Sequence, residues 1–234
     1  MLIDRLLTRS AERRPTGTAL VQGDVRASYG ELFDKAGRMA RSLGELGVRR
    51  GDRVAIALEN SLEYLVAHFG ALMAGGVSVP VFHNTPAASF AKIAADCEPA
   101  AVISRPAFHR ALLKSGAAPA RAKFIIAGGA AGEEEAGCFS FDDCLASPGA
   151  LDIGARSASD LATIIYTSGT TGDPKGVMLS HGNLYANTRS IVEYLELTES
   201  DSVMVVLPFY YSYGNSVMLT HVMQGATLVA DNRF

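Results

Sequence analysis

The residue types that could do chemistry are concentrated between residues 166 and 184, YTSGTTGDPKGVMLSHGNL. Gly169, Gly172 and Gly176 let a backbone turn sharply and approach a ligand closely. Thr167, Ser168, Thr170 and Thr171 add hydroxyl groups, and successive exposed amides in such a loop form a concave nest for an anion. Lys175 brings a full positive charge, and Pro174 stiffens the turn before it. The combination suits a triphosphate or a departing pyrophosphate. The stretch lies after an apolar, strand-like run and before a helix-like segment, which is where ligands sit in open α/β sheets.

Two plainer readings compete. A Gly/Ser/Thr-rich stretch can be a flexible linker, but a linker gains nothing from a buried strand on one side and a helix on the other. An ordinary P-loop needs Gly-Lys-Ser/Thr at fixed spacing. Here Lys175 stands between Pro174 and Gly176, so that pattern fails. The glycine and hydroxyl density between two regular elements predicts that residues 167–175 form a phosphate loop that is mobile without ligand.

The elements that must hold this loop alternate between strand and helix. Leu32, Phe33, Ala36, Met39, Ala40 and Leu43 recur at three- and four-residue steps and predict a helix over 30–46, stopped at Gly47. Residues 53–58 read as a buried strand. Ser61 caps a helix running to about residue 74, and Gly75-Gly76 ends it. Residues 77–82 are the next strand, 87–97 a helix, 100–104 a strand, and 124–127 another. Further on, 161–166, 202–207 and 226–230 read as strands, and 182–195 and 215–223 as helices. The helix at 182 has Ser180 or Asn183 near its start. This alternation predicts an α/β fold of layered, mostly parallel sheets flanked by helices. Residues 128–158 break the pattern with Gly128-Gly129, an acidic run at Glu133-Glu134-Glu135 and Ser147-Pro148-Gly149. The acidic run reads as a solvated loop. A division into 1–155 and 156–234 is expected there.

Composition narrows the function. The chain has 234 residues, long enough for a substantial core, with a net charge of −3 and no basic stripe for nucleic acid. Asp4 and Arg5 interrupt the N-terminal apolar stretch, unlike a secretory signal, and no apolar run is long enough to span a bilayer. Cys97, Cys138 and Cys144 have no metal-ligand spacing, and their sparse, odd number fits a reducing, cytoplasmic setting. The five histidines form no paired metal motif, and no metal-ligating residue is assigned. His181 is expected to be structural, and Asp173 to lie at the tip of the loop.

Four segments, in order, carry a resemblance to one family. Residues 166–184 resemble the phosphate-binding signature of the adenylate-forming superfamily, which includes acyl-CoA synthetases, firefly-type luciferases and adenylation domains of peptide synthetases. Residues 27–43, ASYGELFDKAGRMARSL, are similar to its first core motif, and 71–80, ALMAGGVSVP, to its second. Residues 207–216, LPFYYSYGNS, with 225–228, GATL, resemble the segment that lines the acyl pocket.

The resemblance implies roles residue by residue. Thr167, Ser168, Gly169, Thr170, Thr171, Gly172 and Lys175 would hold the phosphates of ATP. Tyr211, Ser212 and Gly214 would belong to the acyl pocket, although Tyr211 reads nearly as well as a core aromatic. Ser212 stands where amino-acid-activating domains usually carry an aspartate for the substrate ammonium, which favours an acid without an α-amino group. The implied reaction joins a carboxylic acid to ATP as an acyl-adenylate, with Mg2+ neutralising the phosphates. The acyl group then passes to coenzyme A or a carrier-protein pantetheine.

Family members are usually about twice this long. The chain is therefore expected to be the N-terminal part of the large domain. The Thr-Glu segment for magnesium, the ribose-binding aspartate and the small lid domain with the catalytic lysine would lie in a missing C-terminal half. No catalytic residue is assigned within 1–234. The isolated chain is expected not to complete the reaction, and its uncovered edges to invite homodimerisation. An amino-acid adenylation domain and a non-catalytic nucleotide-binding fragment remain the alternatives.

Overall fold

The computed structural model describes residues 1–129, 137–146, 155–168 and 174–232. The chain opens with α1 (Asp4–Arg13) and the hairpin β1 (Thr18–Gln22) and β2 (Val25–Ser28). Then come α2 (Tyr29–Glu45), β3 (Arg53–Ala57), α3 (Leu62–Met73), β4 (Val77–Pro80), α4 (Ala87–Cys97) and β5 (Ala101–Ser104). These are followed by α5 (Pro106–Ser115), β6 (Lys123–Ile126), β7 (Cys138–Ser140) and the short α6 (Phe141–Cys144). The last part holds β8 (Leu161–Ser168), β9 (Pro174–Ser180), α7 (His181–Leu195), β10 (Ser202–Val205), α8 (Ser212–Gln224) and β11 (Thr227–Ala230).

Local chemistry sets the helix starts. Ser28 accepts the Glu31 amide on its hydroxyl at 3.2 Å, and the Glu31 carboxylate accepts the Ser28 amide at 2.7 Å. This reciprocal cap fixes the first turn of α2. Ser61 accepts the Tyr64 amide at 3.1 Å and starts α3 as expected. Helices α2 and α3 then pack closely. A Cβ on Gly70 would come within 2.7 Å of Met39 Cγ, so glycine in mid-helix lets α3 lie flush against α2.

Seven strands form one sheet in the order β7-β6-β5-β3-β4-β8-β9, and four form a second in the order β10-β11-β1-β2. The larger sheet is parallel except for the antiparallel β8–β9 pair, and β1–β2 is the antiparallel pair of the smaller one. The expected layered α/β arrangement is present. Strands on either side of residue 155 share both sheets, so the expected division there does not separate them. One apolar cluster, with Leu32, Met39, Leu65 and Phe69, covers one face of the large sheet. A second, with Phe90, Ile93, Phe108 and Leu112, covers the other. The acidic run at 133–135 lies outside the described residues.

Asp4 and Arg156 form an ion pair at 2.8 Å with both side chains almost wholly buried. Beside them the Ile3 amide donates to His181 Nδ1 at 3.1 Å. His181 is thus structural, as expected, and pins the start of α7 to the start of α1. An amide donating to Nδ1 requires that nitrogen to be unprotonated. Burial holds the His181 pKa below its ordinary value, with Asp4 acting in the opposite direction. His221 is likewise held down, mainly by burial. His68 is fully buried, with Nδ1 2.9 Å from Ser78 Oγ, and burial and then His181 push its pKa down to about 3.

His68 stays neutral in the fold, and His181 and His221 resist protonation more than free histidines, while unfolded histidines take up protons below about pH 6.5. Stability should therefore be complete above that pH and fall as pH drops through the window beneath it. His68 alone should cost on the order of 1.4 kcal/mol per pH unit there. Urea midpoints at about pH 7.5 and about pH 5.5 check this. The midpoint should fall clearly at the lower pH, and the fall should shrink in His68→Gln.

Candidate active site: the β8–β9 hairpin and its cleft

The expected passage from strand to loop to helix needs one correction. Residues 174–180 are themselves a strand, β9, which pairs antiparallel with β8 and places Thr167 opposite Lys175 and Ser168 opposite Pro174. The two ends of the glycine-rich stretch, 167–168 and 174–176, are therefore paired strand. Pro174 and Gly176 mask the strand in the sequence, since both residue types are rare in strand interiors. The signal that could have found it is the apolar run Val177-Met178-Leu179 between Gly176 and a helix cap. That cap is reciprocal: Ser180 Oγ accepts the Asn183 amide at 3.1 Å, and Asn183 Oδ1 accepts the Ser180 amide at 3.1 Å.

Directly opposed residues in antiparallel strands share a face. Thr167 and Lys175 are both exposed and project from one face of the hairpin end. Gly169, Thr170, Thr171, Gly172 and Asp173 lie outside the described residues, as does the side chain of Ser168.

Below the hairpin end is a cleft of about 620 Å³. The hairpin supplies Ile165, Tyr166, Thr167, Val177 and Leu179 to its wall, and the chain leaving β4 supplies Val81 and Phe82. Tyr210, Tyr211 and Ser212 close the other side. No charged side chain is among the described lining residues. Tyr211 is the N-cap position of α8 and Ser212 its first residue. Tyr211 is 55% exposed, so it is a wall residue of the cleft rather than a core aromatic. Its ring lies 4.5 Å from Tyr210, and Tyr210 lies 5.3 Å from Phe82, so three aromatic rings run along the wall. Burial and then Tyr211 push the Tyr210 phenol up to about 12.

Gly214 does not line the cleft. It is buried, and a Cβ there would come 2.1 Å from the Pro208 carbonyl oxygen. Its part is to let the first turn of α8 fold back against 207–208. Asn60 fixes the same segment: its amide group accepts the Phe209 N–H at 2.8 Å and donates to the Leu207 carbonyl at 3.2 Å.

Tyr166 and Phe82 are site residues that the motif reading passed over. The Tyr166 hydroxyl donates to Asp96 on α4. Burial, then the Asp96 hydrogen bond, raise its pKa well above that of an ordinary phenol. Gly176 sits directly across from Tyr166, and a Cβ on it would meet the Tyr166 ring at 3.1 Å and Ile164 Cγ2 at 2.7 Å. The ring thus lies across β9 in space that only glycine leaves open. Among the described residues no group of three or more His, Cys, Asp or Glu could hold a metal ion.

The family model for AMP-binding enzymes matches residues 7–233. The chain belongs to the AMP-binding enzyme family. Over its whole length it is 32% identical to 4-coumarate–CoA ligase 5 of Oryza sativa subsp. japonica, covering 43% of that protein. It is 29% identical to bacitracin synthase 3 of Bacillus licheniformis, over 97% of the chain but only 3% of that protein. Among solved structures it superposes on a Mycobacterium tuberculosis fatty acyl CoA synthetase with a TM-score of 0.85, 26% identity and 45% of that chain covered. The chain therefore spans under half the length of the rice ligase and of the mycobacterial synthetase. In this AMP-binding enzyme the β8–β9 hairpin shares one cleft with residues 210–212. No described helix is long and apolar enough to cross a membrane.

Gly176→Ala should force Ile164 or Tyr166 aside, at a cost of about 1–3 kcal/mol. A urea titration measures the loss. Amide exchange over residues 161–180 should rise with it, and in Tyr166→Phe the same rise should appear with a smaller change in global stability.

Proposed function

We propose that the chain carries the nucleotide- and acid-binding part of an AMP-forming acid–thiol ligase. One observation supports this most: Thr167, at the start of the phosphate-loop motif, lines the same uncharged cleft as Tyr211 and Ser212. A carboxylic acid seated against the aromatic wall would lie beside the hairpin end that receives ATP. Its carboxylate would attack the α-phosphorus, and pyrophosphate would leave against Thr167, the loop amides and Lys175. Positioning and charge neutralisation carry most of such a reaction. Magnesium would neutralise phosphate charge when bound, and no described residue is assigned to it. The acyl-adenylate would then meet a thiol, that of coenzyme A or of a carrier-protein pantetheine. No protein nucleophile is needed. The chain covers under half of the coenzyme A ligase it resembles, so the full reaction, with a cytoplasmic location, is proposed only for this part joined to the remainder that such a ligase carries.

The acid is proposed to be fatty, aryl or otherwise free of an α-amino group. An ammonium group in this cleft would need a carboxylate partner, and the described wall has none. The similarity to bacitracin synthase 3 supports a second reading, activation of an amino acid.

Acid-dependent pyrophosphate release by the parent enzyme, which would carry the C-terminal half as well, separates the two. Across a panel of acids, plain carboxylic acids should exceed their α-amino counterparts by about ten-fold or more in kcat/KM. Preference for an α-amino acid over its deaminated analogue would favour the second reading. No release with any acid would count against both.

A further inference from the structure

The order β6-β5-β3-β4 within the large sheet is, in chain order, fourth-third-first-second. The connection after β3 is α3, packed in the same apolar cluster as α2. The connections after β4 and β5 are α4 and α5, which belong to the cluster on the opposite face. Strand order therefore reverses between β3 and β5. In doubly wound sheets the crevice beyond the carboxyl ends of two such strands is where ligands bind. The hairpin cleft does not use this position, because it opens at the β4–β8 side of the sheet.

A separate cavity of about 510 Å³ lies at the reversal, within the usual size for small-molecule sites. Leu62 and Glu63, just after β3, and Arg105, just after β5, line it. Val66 and Leu145 give it apolar wall, and Val25 and Lys35 lie at its side. Arg105 Nη1 is 3.2 Å from Glu63, so those two charges largely satisfy each other. Gly128, at φ +74, leaves Arg105 its place, since a Cβ there would fall 2.7 Å from Nη1. Asp142 also lines the cavity but is exposed and solvated. Lys35 is half-buried and has no hydrogen bond or ion pair among the described residues, and it attracts Glu31 through space. A half-buried cation with no ion pair among the described residues, beside an apolar wall, is suited to an anion with an apolar body.

We propose that this cavity is a second binding site for a small amphipathic acid, its apolar body against Leu62, Val66 and Leu145 and its anionic head at Lys35. The site is independent of the ligase reading, because it shares no residue with the hairpin cleft.

The test is a two-dimensional NMR titration of the 15N-labelled chain with 1-naphthoate, with 1-naphthalenemethanol as its uncharged counterpart. Amide shifts should cluster at Val25, Lys35, Leu62 and Glu63. Naphthoate should bind at least about ten-fold more tightly than the alcohol, and Lys35→Glu should remove that margin. Val25→Trp, at the exposed start of β2 and outside the core, should block both ligands. The proposal is overturned if the shifts gather only at Ile165, Thr167 and Tyr211. It is equally overturned if the alcohol binds as well as the acid, or if both variants bind naphthoate like the parent chain.

Discussion

The antiparallel pairing of β8 with β9 is the constraint on which the site depends. Without it, a run of glycine, serine and threonine would lose the conformational entropy of a free linker each time it met a ligand. With it, both ends of that run are fixed by ladder hydrogen bonds, and Thr167 and Lys175 stand opposite each other on one face. The hairpin is itself held at two levels. β8 joins the large sheet through its parallel contact with β4, where Thr163 also donates to the Ser78 carbonyl at 2.7 Å. Nearer the open end, the Tyr166–Asp96 hydrogen bond ties the strand to α4. The last anchored side chain before the loop motif is therefore one residue away from its first hydroxyl.

The other wall of the cleft depends on a different device. The segment after β10 is carried on Asn60, whose side chain pairs with two backbone groups of 207–209. Close passage of α8 at Gly214 turns that segment so that Tyr211 and Ser212 face the hairpin. The two walls come from different sheets, and α1 with its Asp4–Arg156 pair links them. Arg156 precedes β8, while α1 packs on α8 through Ser10, which donates to the Val222 carbonyl at 2.6 Å. A buried ion pair is costly to break on one side alone, because the remaining charge is left without a partner.

Much of this was legible in the sequence, for physical reasons. Helices α2 and α3 have strong apolar spacing and explicit caps at Ser28 and Ser61, and both appear where the pattern places them. Strand β3 and helix α4 are bounded by Gly and Pro signals and were equally readable. The hairpin strand β9 was not, because Pro174 and Gly176 both weaken a strand signal, and Gly176 is needed there to leave room for the Tyr166 ring. Helix α1 was hidden because its buried face includes Asp4 and Ser10, whose partners lie more than 150 residues away. Thr167 and Lys175 stood out by type and spacing, whereas Tyr211 and Ser212 were singled out only by the family resemblance. Tyr166, Phe82 and the packing role of Gly214 depend on cross-strand and interhelix proximity, which no local pattern contains.

The central claim is that the hairpin end, through Thr167 and Lys175, receives the phosphates of ATP. Calorimetric titration of the chain and of Lys175→Ala with magnesium-ATP tests it most directly. Losing the lysine should weaken binding by about ten-fold, equivalent to about 1.4 kcal/mol, with adenosine binding unchanged in both proteins. Equal affinity of both proteins for magnesium-ATP, or a loss that appears equally with adenosine, would contradict it.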